Sequence, residues 1–158
     1  MNSTKFLCRA FALLLVSPFF MAGFCSKDDA PAIPANATQY FTYDIMGIKG
    51  QVSSPTDSLS MSTISNKTTF FGNTVGSSVT ANYRLVFPGT TVGTYQLSEC
   101  LIYISGHYFV STPTPITINV SSFGGVGSYV TGTYSGEIKD STSGKTYAAS
   151  GEFKIKHW

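Results

Sequence analysis

The sequence predicts an all-β domain: an antiparallel β-sandwich, with a small β-barrel as the alternative closure. Three observations carry this reading. Apolar residues recur at every second position in several short segments, the period of a strand with one buried and one wet face. Thr, Ser, Val, Tyr, Ile and Gly dominate from residue 38 onward. No window in that region keeps apolar residues at three- and four-residue spacing over three turns, so no helix is expected there.

The chain of 158 residues begins differently. Met1 to Arg9 carries Lys5 and Arg9 and no acid, and Ala10 to Phe24 has only Ser17 as a clearly polar side chain. This is the charged and then apolar layout of an export signal. The apolar run falls short of the roughly 20 residues a membrane-spanning helix needs, and Pro18 disfavours a long uninterrupted helix. Ala22-Gly23-Phe24-Cys25 resembles a bacterial lipobox, in which small residues precede a cysteine that is lipidated and becomes the first mature residue. Phe24 stands where that pattern has a small side chain. Ordinary cleavage after Cys25, releasing a secreted or periplasmic protein, is the competing reading. Lys27-Asp28-Asp29 resembles the surface-export signal of Bacteroidota lipoproteins, a lysine and two acids just past the lipidated cysteine. The expected organisation is a lipoprotein signal peptide over residues 1–24, the lipidated cysteine and a flexible linker over 25–37, and a single all-β domain over 38–158. The linker is small, uncharged and proline-containing from Ala30 to Ala37, which predicts an extended tether.

Within the domain each strand has its own signal. Leu59 and Met61 alternate with hydroxyl residues ahead of a hairpin loop at Ser65-Asn66-Lys67. Tyr83, Leu85 and Phe87 alternate with Asn82 and Arg84, and Pro88-Gly89 ends that strand in a turn. Ile116, Ile118 and Val120 form another inward set. Tyr129–Lys139 is long and β-rich; its Gly132 and Gly136 mark a bulge, a bend or a close backbone neighbour. Asp140–Gly144 is polar and turn-like, so Lys145–Ala149 is expected to fold back as a hairpin partner. Phe153 and Ile155 alternate with Glu152, Lys154 and Lys156.

Composition limits function. Removing Lys5 and Arg9 leaves eight basic side chains against eight acids. A neutral mature chain argues against nucleic acid, which needs a concentrated basic surface, and its net charge gives no pull towards anionic lipid. With Cys8 in the signal and Cys25 as the lipidation site, Cys100 is left alone, and no disulfide framework is expected. Beside Leu101 and Ile102 it reads as a small buried hydrophobe.

Catalytic chemistry has little material. Of the two histidines, His107 follows the turn signal Ser105-Gly106, and His157 sits where chains commonly fray. Cys100 and His107 supply at most two ligands, short of a zinc site, so neither a metal nor a cofactor is expected. The same two residues are the material for a nucleophile pair, the basis of a competing small secreted hydrolase. Glu137 and Glu152 are expected to face solvent. Phe123-Gly124-Gly125-Val126-Gly127 is glycine-rich but starts no helix, so it reads as a loop rather than a phosphate cradle. Among nine tyrosines, Tyr103, Tyr108 and Tyr129 are candidates for a binding platform. Asp57-Ser58-Leu59 and Asp140-Ser141-Thr142 resemble the Bacteroidota O-glycosylation pattern, which makes Ser58 and Ser141 candidate glycan acceptors.

Pro88-Gly89 with Val92-Gly93-Thr94-Tyr95, then Gly132-Thr133-Tyr134-Ser135-Gly136, and finally Gly151-Glu152-Phe153 give the domain a likeness in feature order. It resembles small Bacteroidota lipoproteins whose all-β domain has no assigned function. That resemblance implies an outer-membrane, outward-facing, lipid-anchored module and supplies no catalytic residues. The expected role is non-enzymatic, the partner an extracellular glycan or another outer-membrane protein. A structural accessory subunit of an envelope complex is the further alternative.

Overall fold

The computed structural model describes residues 32–33, 35–76 and 79–158. Among the described residues eleven strands follow one another without a helix: β1 (Tyr40–Ile45), β2 (Ile48–Ser53), β3 (Ser58–Ile64), β4 (Lys67–Asn73), β5 (Ala81–Pro88), β6 (Gly93–Gln96), β7 (Glu99–Ile104), β8 (His107–Ser111), β9 (Thr117–Phe123), β10 (Tyr129–Asp140) and β11 (Thr146–Lys156). All pairings are antiparallel.

Every strand belongs to one sheet, with the main order β2-β1-β11-β10-β8-β7-β5-β4-β3. The sheet curls until it is nearly closed, so the all-β antiparallel class takes the barrel-like of its two expected closures. The long strand β10 makes this possible. Its first half pairs with β9, which carries β6 on its far side, and its end pairs with β8. Two arms therefore share β10: β6-β9-β10-β11-β1-β2 and β10-β8-β7-β5-β4-β3. The register on β9 shifts beside Thr131 and Gly132, leaving Ser121 as the extra residue, with its hydroxyl 3.0 Å from Thr131 Oγ1. A bulge of this kind sharpens the local bend.

Three hairpins turn on two residues, Met46-Gly47, Ser65-Asn66 and Ser105-Gly106. Both residues of each have positive φ. This is the mirror-image turn whose twist matches that of the flanking strands. The expected Lys145–Ala149 partner begins one residue later, at Thr146, and runs on through the Phe153–Ile155 segment as one strand, β11, which pairs with β10 from Lys139 opposite Thr146 to Tyr129 opposite Lys156.

Aromatic rings laid over glycines fill the interior. The ladders set Tyr43 opposite Gly50, Tyr83 opposite Gly72, Tyr134 opposite Gly151 and Phe153 opposite Gly132. In each pair a Cβ on the glycine would collide with the facing ring. The missing side chain lets the ring lie flat against the strand, a device that tolerates strong sheet curvature. The Gly132 motif and Gly151 are thus close-packing positions. Phe41 stacks with Tyr83 at 3.8 Å and with Tyr134 at 5.1 Å between ring centroids. Phe70 meets Phe87 and Phe153 at 5.4 and 5.0 Å. Phe41–Tyr83 and Phe70–Phe153 join the two arms across the interior.

Candidate functional site

On the outer wall, the second arm gathers apolar and aromatic side chains into neighbouring rows. The register places Phe71 opposite Arg84, Arg84 opposite Leu101, and Leu101 opposite Val110. Residues directly opposed across antiparallel strands share a face, so this row crosses β4, β5, β7 and β8. Phe71 and Leu101 are 40% and 41% exposed. The Arg84 guanidinium lies 5.8 Å from the centroid of Phe71 and also pairs with Glu99. That exposed pair adds little to stability, but it leaves the row without net charge.

Two residues along the strands, Asn73, Asn82, Tyr103 and Tyr108 form a second row. The rings of Tyr103 and Tyr108 stand 4.7 Å apart, and Tyr108 is 52% exposed. On the other side of the first row lies a shallow hollow of about 450 Å³, lined by Ser62, Lys67, Thr69, Arg84, Ser98 and Glu99 among others. Arg84 belongs to both hollow and row, and Glu99, in the hollow, pairs with it. Hydroxyls, an amide pair, a neutralised ion pair and ring faces therefore occupy one continuous surface, which can stack on an apolar face and hydrogen-bond its edges.

Of the three tyrosines singled out from sequence, two meet here. Tyr129 lies elsewhere, opposite Lys156 on the first arm, with the Lys154 ammonium 4.7 Å from its ring centroid.

Cys100 is buried, with its amide donating to Ser111 Oγ at 2.9 Å. Desolvation, with a smaller contribution from the Glu99 carboxylate, pushes its thiol up to about 12. His107 stands opposite Ile104, four residues along β8 from Ser111. At a rise of roughly 3.4 Å per residue that separates the strand positions of His107 and Cys100 by about 14 Å. They form no nucleophile pair.

His107 instead meets Asp140, with Nδ1 3.3 Å from Oδ2. Asp140 is buried at the end of β10, where its carboxylate accepts the Thr142 amide at 2.9 Å and the Ser143 hydroxyl at 2.8 Å. These bonds, chiefly that from the Thr142 amide, hold its carboxyl below the ordinary range against the opposing effect of desolvation. The arrangement closes the β10–β11 turn, since the Asp140 amide and carbonyl also bond Lys145 and Gly144. Among the described residues, no group of three His, Cys, Asp or Glu side chains is placed to hold a metal ion.

Glu137 and Glu152 are exposed. Ser58, at the head of β3, and Ser141, in the β10–β11 turn, are exposed too. The acids preceding them are engaged: Asp57 accepts the amides of Ser53 and Val75, and Asp140 is bonded as above. Residues 124–128 are tied to His157, which accepts the Gly127 amide, donates its own to Ser128 and holds Gly124 O at 2.9 Å from Nδ1. Cys25, Lys27, Asp28 and Asp29 lie outside the described residues.

Comparison with protein-family models, with curated proteins and with solved structures finds no match to this chain.

Proposed function

We propose that the protein is an outer-membrane lipoprotein, anchored through Cys25 and facing outward. Its barrel serves as a non-enzymatic binding module for an extracellular glycan. The observation that carries the binding role is the continuous outer surface on β4, β5, β7 and β8, from the hydroxyl-lined hollow through Phe71, Arg84 and Leu101 to Tyr103 and Tyr108. An uncharged sugar offers what this surface lacks a partner for: C–H faces for rings and hydroxyls for amides. The Arg84–Glu99 pair is already neutralised, which leaves Lys67 at the rim of the hollow as the one charge among the residues named on this surface. The separation of Cys100 from His107 favours binding over thiol-dependent hydrolysis. The anchor is supported by the basic and then apolar start, Cys25, and Lys27-Asp28-Asp29. Exposed Ser58 and Ser141 are the proposed sites of the protein's own O-glycosylation.

Two measurements test this. Labelled palmitate should enter the wild-type chain and fail to enter Cys25→Ser; a Cys25→Ser chain retained fully in the membrane sinks the anchor. Glycan-array screening of the full chain should yield a neutral ligand whose affinity falls about tenfold with Phe71→Ala and again with Tyr108→Ala, the scale of one well-placed contact. Unchanged binding in both variants removes this surface from the role.

A further inference from the structure

The first arm carries a different surface. Tyr40, Lys154 and Thr131 are opposed across β1, β11 and β10, and Tyr129 is opposed to Lys156. Phe41, Val130, Phe153 and Ile155 are buried, so alternation turns Tyr40, Tyr129, Lys154 and Lys156 outward. Lys156 Nζ lies 4.2 Å from the ring centroid of Trp158, which is 63% exposed. Beside it, the loop held by His157 presents Val126, 77% exposed.

The chain enters the barrel at this same end. The Lys156 amide donates to Gln39 Oε1 at 2.7 Å, and Thr38 Oγ1 lies 2.9 Å from Ser54 Oγ. Whatever precedes Thr38 therefore leaves beside Lys154 and Lys156. Of nearby acids, Glu152 shares the outward face of β11 at the edge away from Trp158 and lies near Tyr40, while the Asp57 carboxylate is taken by two amides.

Exposed Trp and Tyr with Lys ammonium groups between them are the side chains that settle at a lipid headgroup layer, rings in the interface and charges in water. We infer that Tyr40, Tyr129, Lys154, Lys156, Trp158 and the Val126 loop form a face that rests on an anionic lipid surface. The inference rests on the proposed anchor, since a lipid on Cys25 would bring this end nearest the membrane. A tether of about a dozen residues sets an effective concentration in the millimolar range. Contact too weak to hold a free protein then suffices. Net charge gave no hint of this, because apart from Glu152 the acids that balance the basic side chains lie away from this face.

Trp158 is the sole tryptophan, so its fluorescence reports this face alone. The probe is the full chain, purified from membranes and reconstituted into phosphatidylcholine–phosphatidylglycerol vesicles carrying brominated acyl chains. Trp158 emission should move to the blue and be quenched. Lys154→Gln with Lys156→Gln should return it towards its value in water. Without an acyl chain, co-sedimentation with the same vesicles tests the face independently. There each lysine removed should weaken partitioning about fivefold, near the contribution of one cation at such a surface. An acylated chain whose Trp158 stays water-like and unquenched overturns this inference and leaves the anchor standing. Native protein found to carry no acyl chain, yet partitioning through the lysines, overturns the anchor and leaves the face. Partitioning that ignores the lysines overturns the inference in either form.

Discussion

Tyr83 and Tyr134 occupy matching places in the two arms and are served differently. Both are buried, both lie over a glycine on the neighbouring strand, and both stack with Phe41. The Tyr134 hydroxyl donates to the Thr42 carbonyl at 3.0 Å. That acceptor is free because the β1–β11 ladder opens at Thr42 and Tyr43, where Thr42 Oγ1 stands in for the strand and accepts the Glu152 amide at 2.9 Å. The Tyr83 hydroxyl is buried with no hydrogen-bond partner. The rings thus do the same packing, while one hydroxyl is bonded and the other only carries its desolvation cost.

The harshest way to break the comparison is to remove what the two rings share. Phe41→Ala should cost about 3–5 kcal/mol, the range for emptying a buried aromatic site, because both stacks lose their partner. Denaturant unfolding measures it; a loss near 1 kcal/mol would mean the arms are not joined there. A gentler pair of variants sharpens it. Tyr134→Phe should cost about 1–3 kcal/mol, since it orphans the Thr42 carbonyl. Tyr83→Phe should be neutral or stabilising by up to about 1 kcal/mol, since it deletes only an unpartnered hydroxyl. Equal losses in the two variants would show that Tyr83 finds a partner, such as an internal water.

What could be read from sequence follows the same division between packing and pairing. Alternation located β5 and the inward set Tyr83, Leu85 and Phe87, because burial imposes period two on a one-sided strand. It could not say which of Phe70 and Phe71 faces inward. Only the register, Phe70 opposite Leu85 and Phe71 opposite Arg84, settles that and builds the outer row. The Met46-Gly47 hairpin carried half of its usual signal, since methionine rarely takes positive φ. Ser150-Gly151 hid the continuity of β11, because the glycine that breaks the pattern is the one over which Tyr134 lies. Cys100 was legible as a buried thiol from its apolar neighbours. Asp140 was not legible as a buried acid, because a polar turn sequence looks the same whether its carboxylate meets water or three protein donors.

The finest difference is set by pH. Burial raises the phenol pKa of Tyr83 and of Tyr134 well above 10.0, with neighbouring Cys100 adding to the effect at Tyr134. In the unfolded chain both would titrate near 10. A group held protonated in the fold contributes its stability below the unfolded value and loses it as pH rises beyond, so the alkaline flank of stability should begin near pH 10. Cys100, raised from 9.0 to about 12, should start the decline slightly earlier. Asp140 acts in the opposite sense. Its lowered carboxyl contributes stability above its ordinary 3.8, and that contribution fades as pH falls further. Melting temperature against pH should therefore be flat between about pH 5 and 9. Tyr83→Phe and Tyr134→Phe should each soften the fall above pH 10, and Asp140→Asn the fall on the acid side. The two phenylalanine variants act alike here although they differ at neutral pH, because the alkaline loss tracks the buried phenol proton while the neutral difference tracks the hydrogen bond to Thr42. An alkaline flank that neither variant moves would mean that both phenols reach solvent.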